Sequence, residues 1–156
     1  MERLHGTGVA LVTPFDKNKN IDFDGLEKLL QHTANEGADY YVVQGTTGES
    51  ATTSKQEKHD ILQFVKSHNP EKKPIVFGVG GNNTQAVVET IQNSDLDGVD
   101  AILSVSPYYN KPSQQGIIAH YSTIADASPV PIILYNVPGR TMSNIQAATT
   151  LRLAEH

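Results

Sequence analysis

Side chains able to move protons or bind anions follow each of five short apolar runs. In chain order they are Thr13; Thr46, Thr47, Glu49 and Ser50; Asn82 and Asn83; Tyr108, Tyr109 and Asn110; and Tyr135, Asn136 and Arg140. Hydroxyls, phenols and a guanidinium suit a substrate that carries a carboxylate and a reaction that relays a proton. The sequence therefore predicts a site for a small acid wherever the fold brings these segments together.

The apolar runs that precede these residues have the length and composition of buried strands. They cover residues 9–12, 40–43, 74–77, 101–105 and 131–135. Segments of helical period separate them, so that strand and helix alternate at a spacing of roughly 30 residues, as parallel βαβ units require. Nearly all strand positions are apolar, which is typical of strands covered on both faces or lining a barrel.

Four helices are predicted from apolar stripes, and a fifth is expected to start near Asn144. The stripes are Leu26, Leu29, Leu30 and Thr33; Ile61, Leu62 and Val65; Val87, Val88, Ile91 and Leu96; and Ile117, Ile118, Tyr121 and Ile124. Asp24 and Glu27 are expected to cap the first helix. Ser54 and Glu57 have the spacing of a capping box for the second.

This pattern fits two α/β architectures, a doubly wound open sheet and part of a closed (β/α) barrel. The glycine-rich segment Gly78-Val-Gly80-Gly81-Asn-Asn83 fails the dinucleotide fingerprint, because Asn83 occupies its last glycine position. All the polar clusters lie just past the carboxyl ends of strands, where a barrel builds its active site. We therefore expect the barrel, with one domain over residues 1–156.

Composition excludes several classes of function. The net charge is -5 with scattered Lys and Arg, so we expect no nucleic-acid partner. Cysteine is absent and the six histidines lack ligand spacing, so we predict no metal site and take the histidines as surface or cap residues. The chain shows neither a signal peptide nor a membrane-length apolar run, so we expect a cytoplasmic protein without membrane contact.

The segment Gly45-Thr-Thr-Gly-Glu-Ser50 has two interpretations. It could be an ordinary strand-to-helix turn whose threonines bond nearby backbone groups. Equally, its glycines could let successive N–H groups and threonine hydroxyls form a seat for a carboxylate. Residue chemistry alone favours neither.

Three motifs in order resemble those of the dihydrodipicolinate synthases, a family in the pyruvate-dependent aldolase group that also contains the N-acetylneuraminate lyases. They are Gly45-Thr-Thr-Gly-Glu-Ser50, Ser106-Pro-Tyr-Tyr-Asn110 and Tyr135-Asn-Val-Pro-Gly-Arg-Thr141. The resemblance starts at Gly8-Val-Ala-Leu-Val-Thr-Pro14 and covers essentially the whole chain. It implies a (β/α)₈ TIM barrel, of which these residues form about five βα units. It also implies a homo-oligomer, often a tetramer.

The implied reaction is the Schiff-base condensation of pyruvate with aspartate semialdehyde in lysine and diaminopimelate biosynthesis, without a separate cofactor. By resemblance, Thr47 binds the pyruvate carboxylate, and Thr46, Tyr109 and Tyr135 form a proton relay. Tyr109 would reach a neighbouring subunit, and Arg140 would hold the semialdehyde carboxylate. The plainer alternatives are a packing role for Tyr135, interface roles for Tyr108 and Tyr109, and a solvated charge at Arg140.

Two departures from the family follow. The imine-forming lysine is implied to lie on a sixth strand past His156. The lysines present, such as Lys55, Lys58 and Lys111, are expected to be solvated and therefore not to replace it. We expect this N-terminal portion to be inactive alone and to pair with another copy through its open sheet edges. Asn82 and Tyr108 match positions of the family's lysine effector site. Lys55, Lys58 and Ala86 replace two histidines and a glutamate there, so we expect weak lysine inhibition.

Two further readings stay open at this point. One is a lyase of the N-acetylneuraminate type. Lyases of that type usually carry serine where this sequence has Thr46 and lack an arginine where it has Arg140, and both differences favour the synthase. The other is a half-barrel without catalytic function that only binds or oligomerises.

Overall fold

The computed structural model describes residues 2–156, which fall into two compact units. The first unit holds the residues up to Gly78 together with Asp97–Ala101. The second holds Val79–Leu96 and Ile102–His156. Each unit contains strands followed by helices, as the alternating sequence pattern predicts.

The first unit is built on three parallel strands. Its strands and long helices are β1 (Gly8–Ala10), α1 (Phe23–Asn35), β2 (Tyr40–Val43), α2 (Lys55–His68) and β3 (Ile75–Gly78). Val9 pairs with Tyr41, and Tyr41 pairs with Ile75, so β2 lies between its two neighbours in parallel register. Short 3-10 helices cover Glu2–Leu4, Thr46–Gly48 and Pro70–Lys72.

The second unit contains the remaining elements. They are α3 (Thr84–Asn93), β4 (Ala101–Val105, which enters this unit at Ile102), α4 (Gln114–Asp126), β5 (Ile132–Tyr135), α5 (Pro138–Thr141) and α6 (Ala147–Ala154). β4 and β5 are parallel, with Ile102 opposite Ile132 and Val105 opposite Tyr135. The chain therefore follows the βα order expected of barrel units.

Helix capping agrees with the sequence at α2 and differs at α1. Ser54 and Glu57 form the predicted capping box, and the hydrogen bond from the Ser54 amide holds the pKa of Glu57 below its ordinary value. At α1 the cap is Asp22, whose Oδ1 accepts from the Gly25 amide at 2.9 Å, and not Asp24 or Glu27. The expectation for Asp24 and Glu27 was wrong because the helix starts at Phe23, which places both inside it.

The predicted stripes supply most of the buried side chains of the helices. Buried members are Leu26 and Leu30; Ile61, Leu62 and Val65; Val87, Val88 and Ile91; and Ile117, Tyr121 and Ile124. Leu29 and Ile118 are only half-buried. Leu96 is buried but lies beyond α3, which ends at Asn93. The last helix starts at Ala147 rather than near Asn144, and the short α5 before it was not predicted.

His120 is not a surface residue as the sequence suggested, because it lies on the buried side of α4 with 4 % exposure. Its Nδ1 lies 2.8 Å from the Thr84 hydroxyl, and its ring packs edge-on against Tyr121. Within residues 2–156, its Nε2 is buried and has no hydrogen-bond partner. Burial lowers the pKa of His120, which favours the neutral imidazole.

Within the described part of the chain, no helix combines the length and apolar character needed to cross a membrane.

Candidate active site

In the first unit, Thr46 and Thr47 lie in the 3-10 turn that follows β2. The Gly48 amide donates to the Gly45 carbonyl at 3.0 Å, and the Glu49 amide donates to the Thr46 carbonyl at 3.1 Å. Gly45 and Gly48 are buried, whereas both threonines are exposed. The turn thus displays two adjacent hydroxyl residues at the carboxyl end of a strand.

The turn is bounded by two residues in the left-handed region, Gln44 with φ 58° and Glu49 with φ 56°. Glu49 stabilises the turn through its backbone, since its carbonyl accepts from both the amide and the hydroxyl of Thr52 at 2.9 Å. Its carboxylate is on an exposed residue. The contacts that Glu49 makes within this turn are therefore those of its backbone.

In the second unit, Asn82 and Tyr108 come together as neighbours. The Asn82 side-chain amide donates to the Tyr108 carbonyl at 3.1 Å, and the Asn110 side-chain amide donates to the Asn82 carbonyl at 3.1 Å. These bonds connect the segment after β3 to the segment after β4. The two positions that resemble an effector site are therefore adjacent, and these side-chain-to-backbone hydrogen bonds are sufficient to explain the arrangement.

Tyr109 combines a fixed backbone with a free ring. Its φ is 74°, its amide donates to the Thr141 carbonyl at 3.3 Å, and its side chain is among the most exposed apolar groups, at 86 % for the residue. The bond to Thr141 brings the segment after β4 beside α5, which carries Arg140. The residue is therefore accessible to a partner.

Tyr135 and Arg140 lie at and just after the end of β5. Tyr135 is half-buried, and its carbonyl accepts from the Ser106 amide at 3.0 Å. Arg140 is exposed on α5. The positions predicted for the relay phenol and the guanidinium are thus both held by the β5 segment, with Tyr109 connected to the same segment through Thr141.

Buried hydroxyls that sequence reasoning did not single out fix this segment. The Thr141 hydroxyl donates to the Ser143 carbonyl at 2.7 Å, and the Ser143 hydroxyl lies 2.9 Å from that of Ser106. Gln114 adds a further connection, since its amide donates to the Asn144 carbonyl. Ser106 is the first residue of the motif that ends at Asn110, and Thr141 is the last residue of the motif that starts at Tyr135. Their membership of these motifs is the sequence feature from which they could have been identified.

Lys58 departs from the expectation of a solvated side chain. Lys55 and Lys111 are exposed, but Lys58 is half-buried on α2, and burial lowers the pKa of its ammonium group. Among the described residues, no three potential metal ligands of the His, Cys, Asp or Glu type lie close enough to hold an ion.

The sequence over residues 3–156 matches the model of the Dihydrodipicolinate synthetase family. The chain belongs to this family. Two curated relatives, both named 4-hydroxy-tetrahydrodipicolinate synthase, are those of Porphyromonas gingivalis and Cytophaga hutchinsonii. The first is 53% identical over 152 residues, covering 97% of this chain and 51% of the relative. The second is 50% identical over 155 residues, covering 99% and 52%. The chain thus spans about half the length of these relatives.

A solved relative supports the same assignment at the level of structure. The dihydrodipicolinate synthase of Acinetobacter baumannii, complexed with pyruvate, superposes with a TM-score of 0.92 and 41% identity. The match covers 96% of this chain and 52% of that one. The predicted fold class is confirmed: the chain is a partial (β/α) barrel of the dihydrodipicolinate synthetase family.

Proposed function

We propose that this chain provides the first five βα units of a 4-hydroxy-tetrahydrodipicolinate synthase. That enzyme condenses pyruvate with L-aspartate semialdehyde, through a Schiff base, to 4-hydroxy-tetrahydrodipicolinate. The main support is the Thr46–Gly48 turn, which exposes two threonines at the end of β2 in a chain similar to a pyruvate-bound synthase. The activity and its substrates are proposals for a protein of which these residues form about half.

Thr47 binds the carboxylate of pyruvate in this proposal. Its side chain is exposed, and its N–H belongs to the first turn of a short 3-10 helix, where amides have no partner from the helix itself. A hydroxyl and a backbone amide on one residue are good donors for a carboxylate oxygen. Pyruvate would thus be oriented through its charged end, leaving its ketone for the imine.

Proton transfer falls to Thr46, Tyr109 and Tyr135. Tyr135 would donate and accept protons near the imine, with the other two hydroxyls passing the proton to solvent. The exposure of Tyr109 supports its placement in a neighbouring subunit's site, because the residue is 86 % exposed and can be covered by a partner. The working enzyme is therefore proposed to be a homo-oligomer.

Arg140 binds the carboxylate of the semialdehyde. It lies exposed on α5, and its planar guanidinium can donate two parallel hydrogen bonds to a carboxylate. The backbone of α5 is held at Thr141, whose hydroxyl accepts from the Ser143 amide at 3.1 Å and donates to the Ser143 carbonyl. A fixed α5 limits the conformations over which the arginine must be ordered.

The imine lysine is proposed to come from outside these 156 residues. Lys58 is the strongest internal competitor, because burial lowers its pKa and a Schiff-base lysine must be neutral to attack. However, Lys58 lies in the first turn of α2, four residues past the cap Ser54, and not at the end of a strand, where the candidate site residues lie.

A second lysine, Lys55, adds another positive charge to the start of α2. This charge supports the proposal that a lysine effector binds weakly.

Borohydride reduction in the presence of labelled pyruvate tests the proposal. The 156-residue chain should take no covalent label. A chimera that joins it to the remaining half of the Porphyromonas gingivalis relative should be labelled and should condense pyruvate with aspartate semialdehyde. Tyr135→Phe in the chimera should lower turnover by about 10²-fold, because it removes a proton donor and acceptor. Thr47→Val should raise the KM for pyruvate, because it removes a donor to the carboxylate.

The contrary outcomes are distinct. Label on the chain alone that disappears in Lys58→Met would make Lys58 the imine lysine and refute the assignment. A chimera that cleaves N-acetylneuraminate but does not condense the semialdehyde would refute the synthase reaction.

A further inference from the structure

Gln44 is a buried amide at the start of the Thr46–Gly48 turn, with 2 % exposure. Its Nε2 lies 3.1 Å from the Thr13 hydroxyl oxygen and 3.3 Å from the Gly48 carbonyl oxygen. Its Oε1 accepts from the Thr53 hydroxyl at 2.8 Å. One side chain therefore connects the segment after β1, the turn itself and the segment before α2.

The direction of each hydrogen bond in this cluster is fixed. The Thr13 hydroxyl donates to the Gly48 carbonyl at 2.6 Å, so its oxygen must accept from Gln44 Nε2. A carbonyl cannot donate, so the Gln44 amide must present its nitrogen to Gly48 and its oxygen to Thr53. Both functions of the amide are used, and neither a carboxylate nor an apolar side chain reproduces them.

The backbone at Gln44 is held in a conformation that it would not adopt by itself. Its φ of 58° lies in the left-handed region, which is unfavourable for a residue with a Cβ. Such conformations persist where the surroundings over-determine them, often at functional sites. Here Gly48 packs against the same cluster, since a Cβ on it would lie 3.5 Å from the Thr13 hydroxyl oxygen and 3.8 Å from Gln44 Nε2.

We propose that Gln44 is the positioning residue of the carboxylate seat. It does not touch the substrate. Its amide holds the segment from Gly45 to Thr53 in the conformation that exposes Thr46 and Thr47, and it thereby sets the affinity for the carboxylate of pyruvate. The inference rests on the proposed function, which assigns that carboxylate to Thr47.

Gln44→Met tests the inference on the 156-residue chain, because methionine keeps the length of the side chain and removes both the amide oxygen and the amide nitrogen. Gln56→Met is the matched control, since Gln56 is exposed on α2 and its side chain donates to Asp60. Hydrogen exchange measures the protection of the amides of residues 45–53. NMR titrations with pyruvate and with its neutral analogue pyruvamide measure the affinity of the chain for each ligand.

We expect Gln44→Met to speed exchange in residues 45–53 by about tenfold and to weaken pyruvate binding by about tenfold. Pyruvamide binding should be unchanged, which separates loss of the carboxylate seat from general loosening. Thr53→Val, which removes the donor to Oε1, should act in the same direction and serves where Gln44→Met fails to fold. Gln56→Met should match the wild type.

Unchanged exchange and pyruvate affinity in Gln44→Met and Thr53→Val would overturn the inference, as would equal weakening of pyruvate and pyruvamide. A different result would separate the inference from the proposed function. If the wild-type chain, alone and in the chimera, binds pyruvate and pyruvamide equally, the proposed function fails. If Gln44→Met still speeds exchange in residues 45–53 in that case, the structural role of Gln44 in holding the turn is retained.

Discussion

Gly78→Ala should disrupt the structure because the end of β3 runs against the backbone of the turn that carries the two threonines. A Cβ added at Gly78 would lie 2.6 Å from the carbonyl carbon of Gln44 and 2.9 Å from the amide nitrogen of Gly45, and nearer still to the Gln44 carbonyl oxygen. Real Cβ atoms almost never approach another heavy atom within 3.0 Å. The φ of Gly78 lies outside the left-handed region, so steric overlap alone decides the effect.

The size of the effect follows from what the methyl group would meet. Overpacking a well-filled site costs about 1–3 kcal/mol, and the lower values belong to sites where a side chain can move aside. At Gly78 the opposing atoms are backbone atoms of Gln44 and Gly45, so we expect about 3 kcal/mol. That is a large part of the roughly 5–15 kcal/mol that stabilises a domain.

Equilibrium unfolding in urea measures the difference, with two alanine variants as controls. Gly139→Ala meets no atom within 4 Å at a position in α5, so it should be neutral or stabilising by about 0.5–1 kcal/mol. Gly37→Ala also meets open space, but at φ +90° it should cost about 1–2 kcal/mol through backbone strain alone. A Gly78→Ala chain whose stability lies within about 0.5 kcal/mol of the wild type would refute the steric argument.

Three further predictions concern stability. His120 has a lowered pKa when folded, so below about pH 6.5 the unfolded chain takes up the proton first and stability falls with falling pH. His120→Gln should flatten this fall in urea midpoints measured between pH 7 and 5, whereas the exposed His59→Gln should not; parallel curves would exclude His120 as the cause. Ser54→Ala removes the hydroxyl that caps α2 and should cost about 1 kcal/mol in urea unfolding. A cost no larger than that of Ser67→Ala, on the exposed end of the same helix, would mean that the cap does not contribute. Tyr121→Phe leaves the Ser104 carbonyl without its 2.9 Å donor and should cost about 1–3 kcal/mol in thermal unfolding; an unchanged midpoint would show that the bond is replaced.

The sequence predicted the elements well wherever local chemistry and periodicity agreed. Ser54 and Glu57 specify the start of α2 by themselves, because a capping box needs only residues three apart. The strand at Tyr40–Val43 was predicted with its observed bounds, since a short apolar run ends in a glycine turn. These are signals contained within a few consecutive residues.

The errors occurred where the deciding contact lies far along the chain. His120 lies three residues after Ile117 and four before Ile124, so the helical period alone could have placed it on the buried side of α4. Its partner Thr84 is 36 residues away, and no local pattern identifies that contact. Gln44 escaped notice for the same reason, since its partners Thr13 and Thr53 lie on separate segments. A glutamine after a strand gives no sign of its hydrogen-bond partners in the sequence, because the folded turn brings those partners to it.

The candidate site divides in the same way. Thr46, Thr47, Tyr109, Tyr135 and Arg140 were located through motifs, and each one follows or ends a strand as predicted. Their roles stay predictions. The hydroxyls that fix them were not located, because serine and threonine are too common for composition to distinguish a buried anchor from a surface residue.

The left-handed backbone at Tyr109 limits what evolution or engineering can place there. Glycine would relax the main chain but abolish the ring, while most other residues, Asn and Asp excepted, keep a conformational penalty of about 1–2 kcal/mol. The stability of a variant at this position therefore depends both on the backbone penalty and on the loss of the ring. The difference in stability between the alanine and glycine variants measures the backbone penalty. The alanine variant keeps that penalty and loses only the ring, so its difference from the wild type measures the contribution of the phenol.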